Sequence, residues 1–103
     1  MPWAGASNIE QGVTIDLSLM KAVTVSPTGT ATVLPGARWG DVYAELDKHN
    51  LAVVGGRASS VGTGGLVIGG GNSFYTARKG LVCDNVAEFE VHMSTFFNPQ
   101  IIH

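Results

Sequence analysis

The chain has 103 residues, of which 45% are hydrophobic and 14% charged, with a formal net charge of -2. This is the composition of one globular domain, too apolar for disorder and without the basic balance that a dedicated nucleic-acid binder needs. The single cysteine, Cys83, excludes an internal disulfide and a cysteine-rich zinc site, and the sequence contains no basic-then-apolar leader and no apolar run near the roughly 20 residues of a membrane span.

Residues 1–11 are small and polar, and Gly5, Ser7, Asn8 and Gly12 read as a loop. Val13 to Leu17 alternates apolar and polar side chains, which predicts a short strand burying Val13, Ile15 and Leu17 on one face. Two further alternations, Ala22–Val25 and Thr30–Leu34, flank the turn sequence Ser26-Pro27-Thr28-Gly29, so residues 22–34 read as a β-hairpin that Pro35-Gly36 ends. At Trp39 the period changes. Trp39, Val42, Tyr43 and Leu46 recur at i, i+3, i+4 and i+7, predicting a helix over about residues 38–49 with Asp41 near its start and Lys48 and His49 near its end. Asn50 suits a left-handed cap, and Trp39 and Tyr43, at helical spacing, read as core, with the lining of a ligand site as the alternative. Asn72 to Gly80 reads as a loop or single helical turn ended by Gly80, and Asp84-Asn85 as a capping or turn pair. Val86 to Met93 alternates again and predicts a last strand. From Ser94 the pattern is lost, and Asn98-Pro99 forces a turn.

The most unusual stretch is Leu51–Gly71. Eight of its last seventeen residues are glycine: Gly55, Gly56, Gly62, Gly64, Gly65, Gly69, Gly70 and Gly71. Ordering each inside regular structure costs roughly 0.5–1 kcal/mol more than alanine, so together they weigh about 4–8 kcal/mol against a domain stability of about 5–15 kcal/mol. Glycine clusters also mark ordinary turns and linkers. Two features favour a ligand: the apolar insert Leu66-Val67-Ile68, and a local field in which the charged residues between Asp47 and Asp84 are Lys48, Arg57, Arg78 and Lys79, all positive. Bare backbone N–H groups in series make an anion-binding concavity suited to phosphate.

Familiar nucleotide motifs are absent. Val67 breaks G-x-G-x-x-G, and Gly70 is followed by Gly71-Asn72 rather than the Lys-Ser/Thr of a Walker loop. His49, His92 and His103 lack ligand spacing with Cys83, and there is no G-x-S-x-G elbow. Any chemistry has to come from a bound cofactor.

In order along the chain, Met1-Pro2-Trp3-Ala4-Gly5, Gly12-Val13-Thr14-Ile15-Asp16-Leu17-Ser18, Pro35-Gly36-Ala37-Arg38-Trp39-Gly40-Asp41-Val42-Tyr43, Gly55-Gly56-Arg57, Val61-Gly62-Thr63-Gly64-Gly65, Gly69-Gly70-Gly71 and Cys83-Asp84-Asn85-Val86 resemble the FAD-binding domain of the p-cresol methylhydroxylase and vanillyl-alcohol oxidase superfamily, in its berberine bridge enzyme-like fungal branch. The resemblance implies an α+β fold: part of a PCMH-type domain, with a short mixed sheet, one clear helix and a glycine-rich cofactor loop, over residues 1–93, followed by a divergent tail at 94–103. It implies FAD as cofactor, contacted by Ser60, Val61, Gly62, Gly64, Gly65, Gly69, Gly70 and Gly71, with Val86 towards the adenine side. It also implies a small-molecule substrate for the full-length family, with no nucleic acid and no membrane span.

The departures are equally specific. The family's R-x-G-G-H segment, whose His bonds to the flavin, would fall immediately before Met1, and Ala58 stands where a second flavin-linking cysteine occurs. The expectation is therefore a central fragment of an FAD-linked oxidoreductase with no catalytic residue of its own and little turnover alone. The alternatives are a non-enzymatic fragment or interaction module, and a phosphate-ligand module that does not take flavin.

Overall fold

The computed structural model describes residues 3–92. Its elements are β1 (Val23–Val25), β2 (Ala31–Val33), α1 (Trp39–Asp47), α2 (Thr63–Ile68), α3 (Thr76–Lys79) and a 3₁₀ turn over Cys83–Asn85, an α+β arrangement.

The hairpin forms as the turn chemistry predicts. β1 and β2 pair antiparallel with Val23 opposite Val33, Thr24 opposite Thr32 and Val25 opposite Ala31. Ser26 closes the loop: its N–H donates to the Thr30 carbonyl at 2.8 Å and its Oγ accepts from the Thr28 N–H at 3.1 Å, while Gly29 takes a φ of +86°. Leu34 N–H to Ala22 O and Gly36 N–H to Met20 O continue the pairing at 3.0 and 2.7 Å. The strand period puts Val23, Val25, Ala31 and Val33 on one face, against a core of Trp39, Val42, Leu46 and Val82, and leaves Thr24 and Thr32 to water.

α1 supplies three of those four core residues at the predicted spacing, and Trp39 is buried as expected while Tyr43 is half-buried. Its first turn is closed by Asp41, whose Oδ2 accepts the Arg38 N–H at 2.9 Å. The helix stops at Asp47, short of the predicted end, because Asn50 turns left-handed at a φ of +53° and Leu51 N–H returns to Leu46 O at 3.1 Å. At the far end, Gly80 ends α3 at a φ of +80°. Asp84 Oδ2 accepts the Leu81 N–H at 2.8 Å, and Asn85 Nδ2 donates to the Lys79 and Leu81 carbonyls at 3.0 and 2.8 Å. The pair is the turn clamp that its residue types suggested.

Two predicted strands do not form. Residues 13–17 and 86–92 have no regular secondary structure and no ladder partners among the described residues, so the sheet is two-stranded and antiparallel rather than mixed. A strand needs a neighbour for its N–H and C=O groups, and alternation alone supplies none. Val13, Ile15 and Leu17 are 87%, 80% and 42% exposed, the reverse of the burial that the pattern predicted. Met93, the Asn98-Pro99 turn and the boundary at 93/94 lie outside the described residues. A further difference is α2, a six-residue helix inside what read as a loop. Gly64 and Gly65 are poor helix formers; the element is held by Thr63, tied to residue 37, and by Leu66 and Val67 packed on the core.

Candidate functional site

The glycine-rich stretch is held against the start of α1 by a run of hydrogen bonds from one side. Gly40 N–H donates to the Ser59 carbonyl at 2.9 Å, Arg38 Nη1 to the Ser60 carbonyl at 2.9 Å, and Trp39 N–H to the Val61 carbonyl at 3.0 Å. Thr63 donates twice to the Ala37 carbonyl, from N–H at 3.0 Å and from Oγ1 at 3.1 Å. Further back, the Tyr43 hydroxyl donates to the Gly56 carbonyl. Arg38 and Gly62 thus lie side by side as an antiparallel bridge.

This fixes where the loop's donors face. A trans peptide is planar, with its C=O and N–H antiparallel; carbonyls 59, 60 and 61 turned towards α1 put the following N–H groups, 60, 61 and 62, on the far side. Val61 N–H closes a turn onto Ala58 O at 3.3 Å. Ser60 and Gly62 N–H meet no acceptor among the described residues, nor do Gly64 and Gly65 N–H, which lie in the first turn of α2 where a helix offers no internal partner. The result is four unspent main-chain donors within six residues.

The glycines themselves divide into two kinds. A Cβ added at Gly62 or Gly65 would have nothing within 4 Å, and one at Gly64 would meet only Pro35 O at 3.7 Å, an ordinary contact. The chain's own packing gives no reason for glycine there. At Gly71 the reverse holds: φ is +79°, and a Cβ would stand 2.7 Å from Leu66 Cδ2 and 2.9 Å from Val82 Cβ. Gly70, at a φ of +92°, and Gly71 also accept the N–H groups of Cys83 and Val82 through their carbonyls, both at 3.0 Å. Gly55 and Gly56 lie under the Trp39 ring, where any side chain would collide.

The expected contact residues therefore fall in two groups, one leading into the first turn of α2 and one following its last. Ser60, Val61, Gly62, Gly64 and Gly65 form a rim, exposed except for the half-buried Gly64, with unspent donors at 60, 62, 64 and 65; Gly69, Gly70 and Gly71 form a bend in which Gly70 and Gly71 lock residues 82–83, with Val86 just beyond the 3₁₀ turn. The basic field reads differently in space. Lys48 pairs with Glu45 at 2.7 Å, and Arg57, Arg78 and Lys79 line two shallow cavities of about 230 and 200 Å³ between residues 51–57 and 73–79, where Tyr43, Asp47 and Tyr75 also sit. The cation bonded to the rim is Arg38, which lay outside the charged segment that the sequence singled out. Thr63, 5% exposed, was also missed; neither residue type signals its role without the fold. Burial, and then the neighbouring Tyr75, push the Tyr43 phenol above its ordinary 10.0.

A small α+β unit that presents a row of bare amides on side-chain-free backbone has the form of a nucleotide-cofactor domain. Residues 3–95 match the family described as FAD binding domain. The chain belongs to that family, as its motifs had suggested, and FAD is the cofactor of the domain. Similar proteins include the FAD-dependent monooxygenase tpcD of Cochliobolus heterostrophus, 51% identical over 88 residues, covering 84% of this chain and 17% of that protein. The FAD-dependent monooxygenase sdcF of Emericella nidulans is 53% identical over 88 residues, covering 84% of this chain and 18% of its own length. Among solved structures, 6-hydroxy-D-nicotine oxidase from Arthrobacter nicotinovorans superimposes with a TM-score of 0.71 at 34% identity, covering 78% of this chain and 18% of that one. The chain thus spans 17–18% of the length of these proteins.

Proposed function

We propose that the rim Ser60, Val61, Gly62, Gly64 and Gly65 is where this domain lies against FAD, with Gly69, Gly70 and Gly71 shaping the far end of the contact and Val86 towards the adenine side. The observation that carries this reading is the pair Gly62 and Gly65, which keep no Cβ although the fold leaves open space for one. A residue stripped for no internal reason is stripped for something outside the chain, and the unspent N–H groups beside it suit a diphosphate. The residues present fit the cofactor.

The protein in which this domain works is, on this reading, an FAD-linked oxidoreductase of the berberine bridge enzyme-like branch, acting on a small molecule. FAD, when bound, supplies the ring that accepts a hydride from the substrate carbon. This chain's share is to hold and orient: amides of residues 60–65 take the diphosphate, and Thr63 and the start of α1 fix the loop that carries them. Titrating the purified chain with FAD tests the assignment. Saturable quenching of flavin fluorescence with a rise in melting temperature supports it. Stabilisation by pyrophosphate or ATP but not by FAD points instead to a phosphate-ligand module, and no response to either sinks both.

A further inference from the structure

We propose that Arg38 is a positioning residue of the cofactor loop, holding the Ser60 carbonyl away from the side where the diphosphate lies. This rests on the reading that residues 60–65 take FAD. Of the three carbonyls that face α1, those of Ser59 and Val61 are held by main-chain donors, Gly40 N–H and Trp39 N–H, which no substitution short of proline removes. The middle one, Ser60 O, is held by a side chain alone, the Arg38 guanidinium at 2.9 Å across 22 positions of sequence.

Of the three peptides whose carbonyls face α1, the one between Ser60 and Val61 is the one that a side-chain substitution alone can loosen. Its N–H is restrained by a 3.3 Å bond to Ala58 O, at the long end of the hydrogen-bond range. Both residues are exposed, Val61 at 37%. Rotated, the plane would present a carbonyl oxygen among the Ser60, Gly62, Gly64 and Gly65 donors, a partial negative charge facing an anion. Arg38 opposes that rotation. Its guanidinium has no carboxylate partner among the described residues; the nearby Asp41 carboxylate accepts the Arg38 main-chain N–H. A planar cation with fixed donors suits a carbonyl that must be kept in one orientation.

The test uses the 103-residue chain, wild type and with Arg38→Met, which keeps the aliphatic stem without a donor, and Arg38→Lys, which restores one. FAD and riboflavin are titrated by fluorescence, melting is followed without ligand, and the Val61 amide is followed by NMR. The expected result is FAD binding weakened about 3- to 10-fold in Arg38→Met, with recovery in Arg38→Lys, a ligand-free melting temperature unchanged, and a Val61 amide broadened or doubled by exchange between two peptide orientations. Riboflavin, which lacks the diphosphate, gives the same response with wild type and Arg38→Met. Equal FAD affinity in wild type and Arg38→Met, or a single sharp Val61 resonance in Arg38→Met, overturns the role of Arg38 while leaving the loop assignment standing. Equal losses for FAD and riboflavin with a lowered melting temperature reduce Arg38 to a structural residue. A wild-type chain that does not bind FAD overturns the loop assignment and this inference together.

Discussion

Replacing Gly65 by alanine should move stability and cofactor affinity in opposite directions. The added Cβ meets nothing within 4 Å, and the position lies in the first turn of α2, where the backbone entropy that glycine loses on folding is not offset by any contact. Alanine is better by about 0.8–1 kcal/mol in a helix interior and by roughly 0.5–1 kcal/mol near an end. In a domain of this size 1 kcal/mol corresponds to about 4–8 °C, so the ligand-free variant should melt about 2–8 °C higher than wild type. FAD should bind it less well, because the methyl occupies space needed by a ligand lying flush with the main chain; overpacking of this kind costs about 1–3 kcal/mol, or about 5- to 150-fold in affinity. Thermal melts at several FAD concentrations measure both effects on one sample. The reasoning is refuted if the ligand-free protein melts lower, which would mean that the fold needs this glycine, or if the FAD-dependent shift is as large as in wild type.

Gly71→Ala is the matched control: strain at a φ of +79° and collision with Leu66 and Val82 should cost about 1–3 kcal/mol and lower the ligand-free melting temperature, the opposite sign to Gly65→Ala. Thr63→Val keeps the shape but removes the Oγ1 bond to Ala37 O, which still receives the Thr63 N–H; a loss of about 0.5–1.5 kcal/mol in urea unfolding is expected. For Tyr43 the pH dependence has a definite sign. Burial favours the neutral phenol in the folded state, so its contribution is complete below the ordinary value of 10.0 and is lost as pH rises past it towards the raised folded value. Tyr43→Phe, lacking the hydroxyl bond to Gly56 O, should be less stable at neutral pH yet lose less stability than wild type between about pH 9 and about pH 11; parallel alkaline limbs in the two proteins would contradict this.

What the sequence reveals here is local geometry. The hairpin was legible because Ser26-Pro27-Thr28-Gly29 carries its own turn chemistry, and α1 because its apolar period and its Asn50 stop agree. Alternation at Val13–Leu17 and Val86–His92 was misleading for a physical reason: it records which face of a strand is apolar and says nothing of whether a second strand lies beside it. α2 was hidden because Gly64-Gly65 argue against a helix, and it forms through Thr63 and through Leu66 and Val67 packing on the core, contacts that depend on the rest of the fold. At the site, the glycine stretch was visible but its division was not. Gly62 and Gly71 are the same residue type, and only the distances from an imagined Cβ show that one is open and the other closed in.

That division also bears on how α1 influences the ligand. The start of a helix of this length would ordinarily offer its own N–H groups to an anion, but here Trp39 and Gly40 spend theirs on Val61 O and Ser59 O. On the proposed reading the helix therefore acts on the cofactor indirectly. Its positive end fixes carbonyls 59, 60 and 61 and so turns the Ser60 and Gly62 amides outward; on the proposed reading these two, with the Gly64 and Gly65 N–H groups of α2, face the diphosphate in place of the N–H groups of α1. On that reading, side chains are least welcome at positions 62, 64 and 65, where main chain meets ligand, and more varied at the base, where the bonds from Gly40 N–H and Trp39 N–H do most of the holding. Bare glycine at 62, 64 and 65 above a base that carries Arg38 and Trp39 is the pattern this arrangement requires.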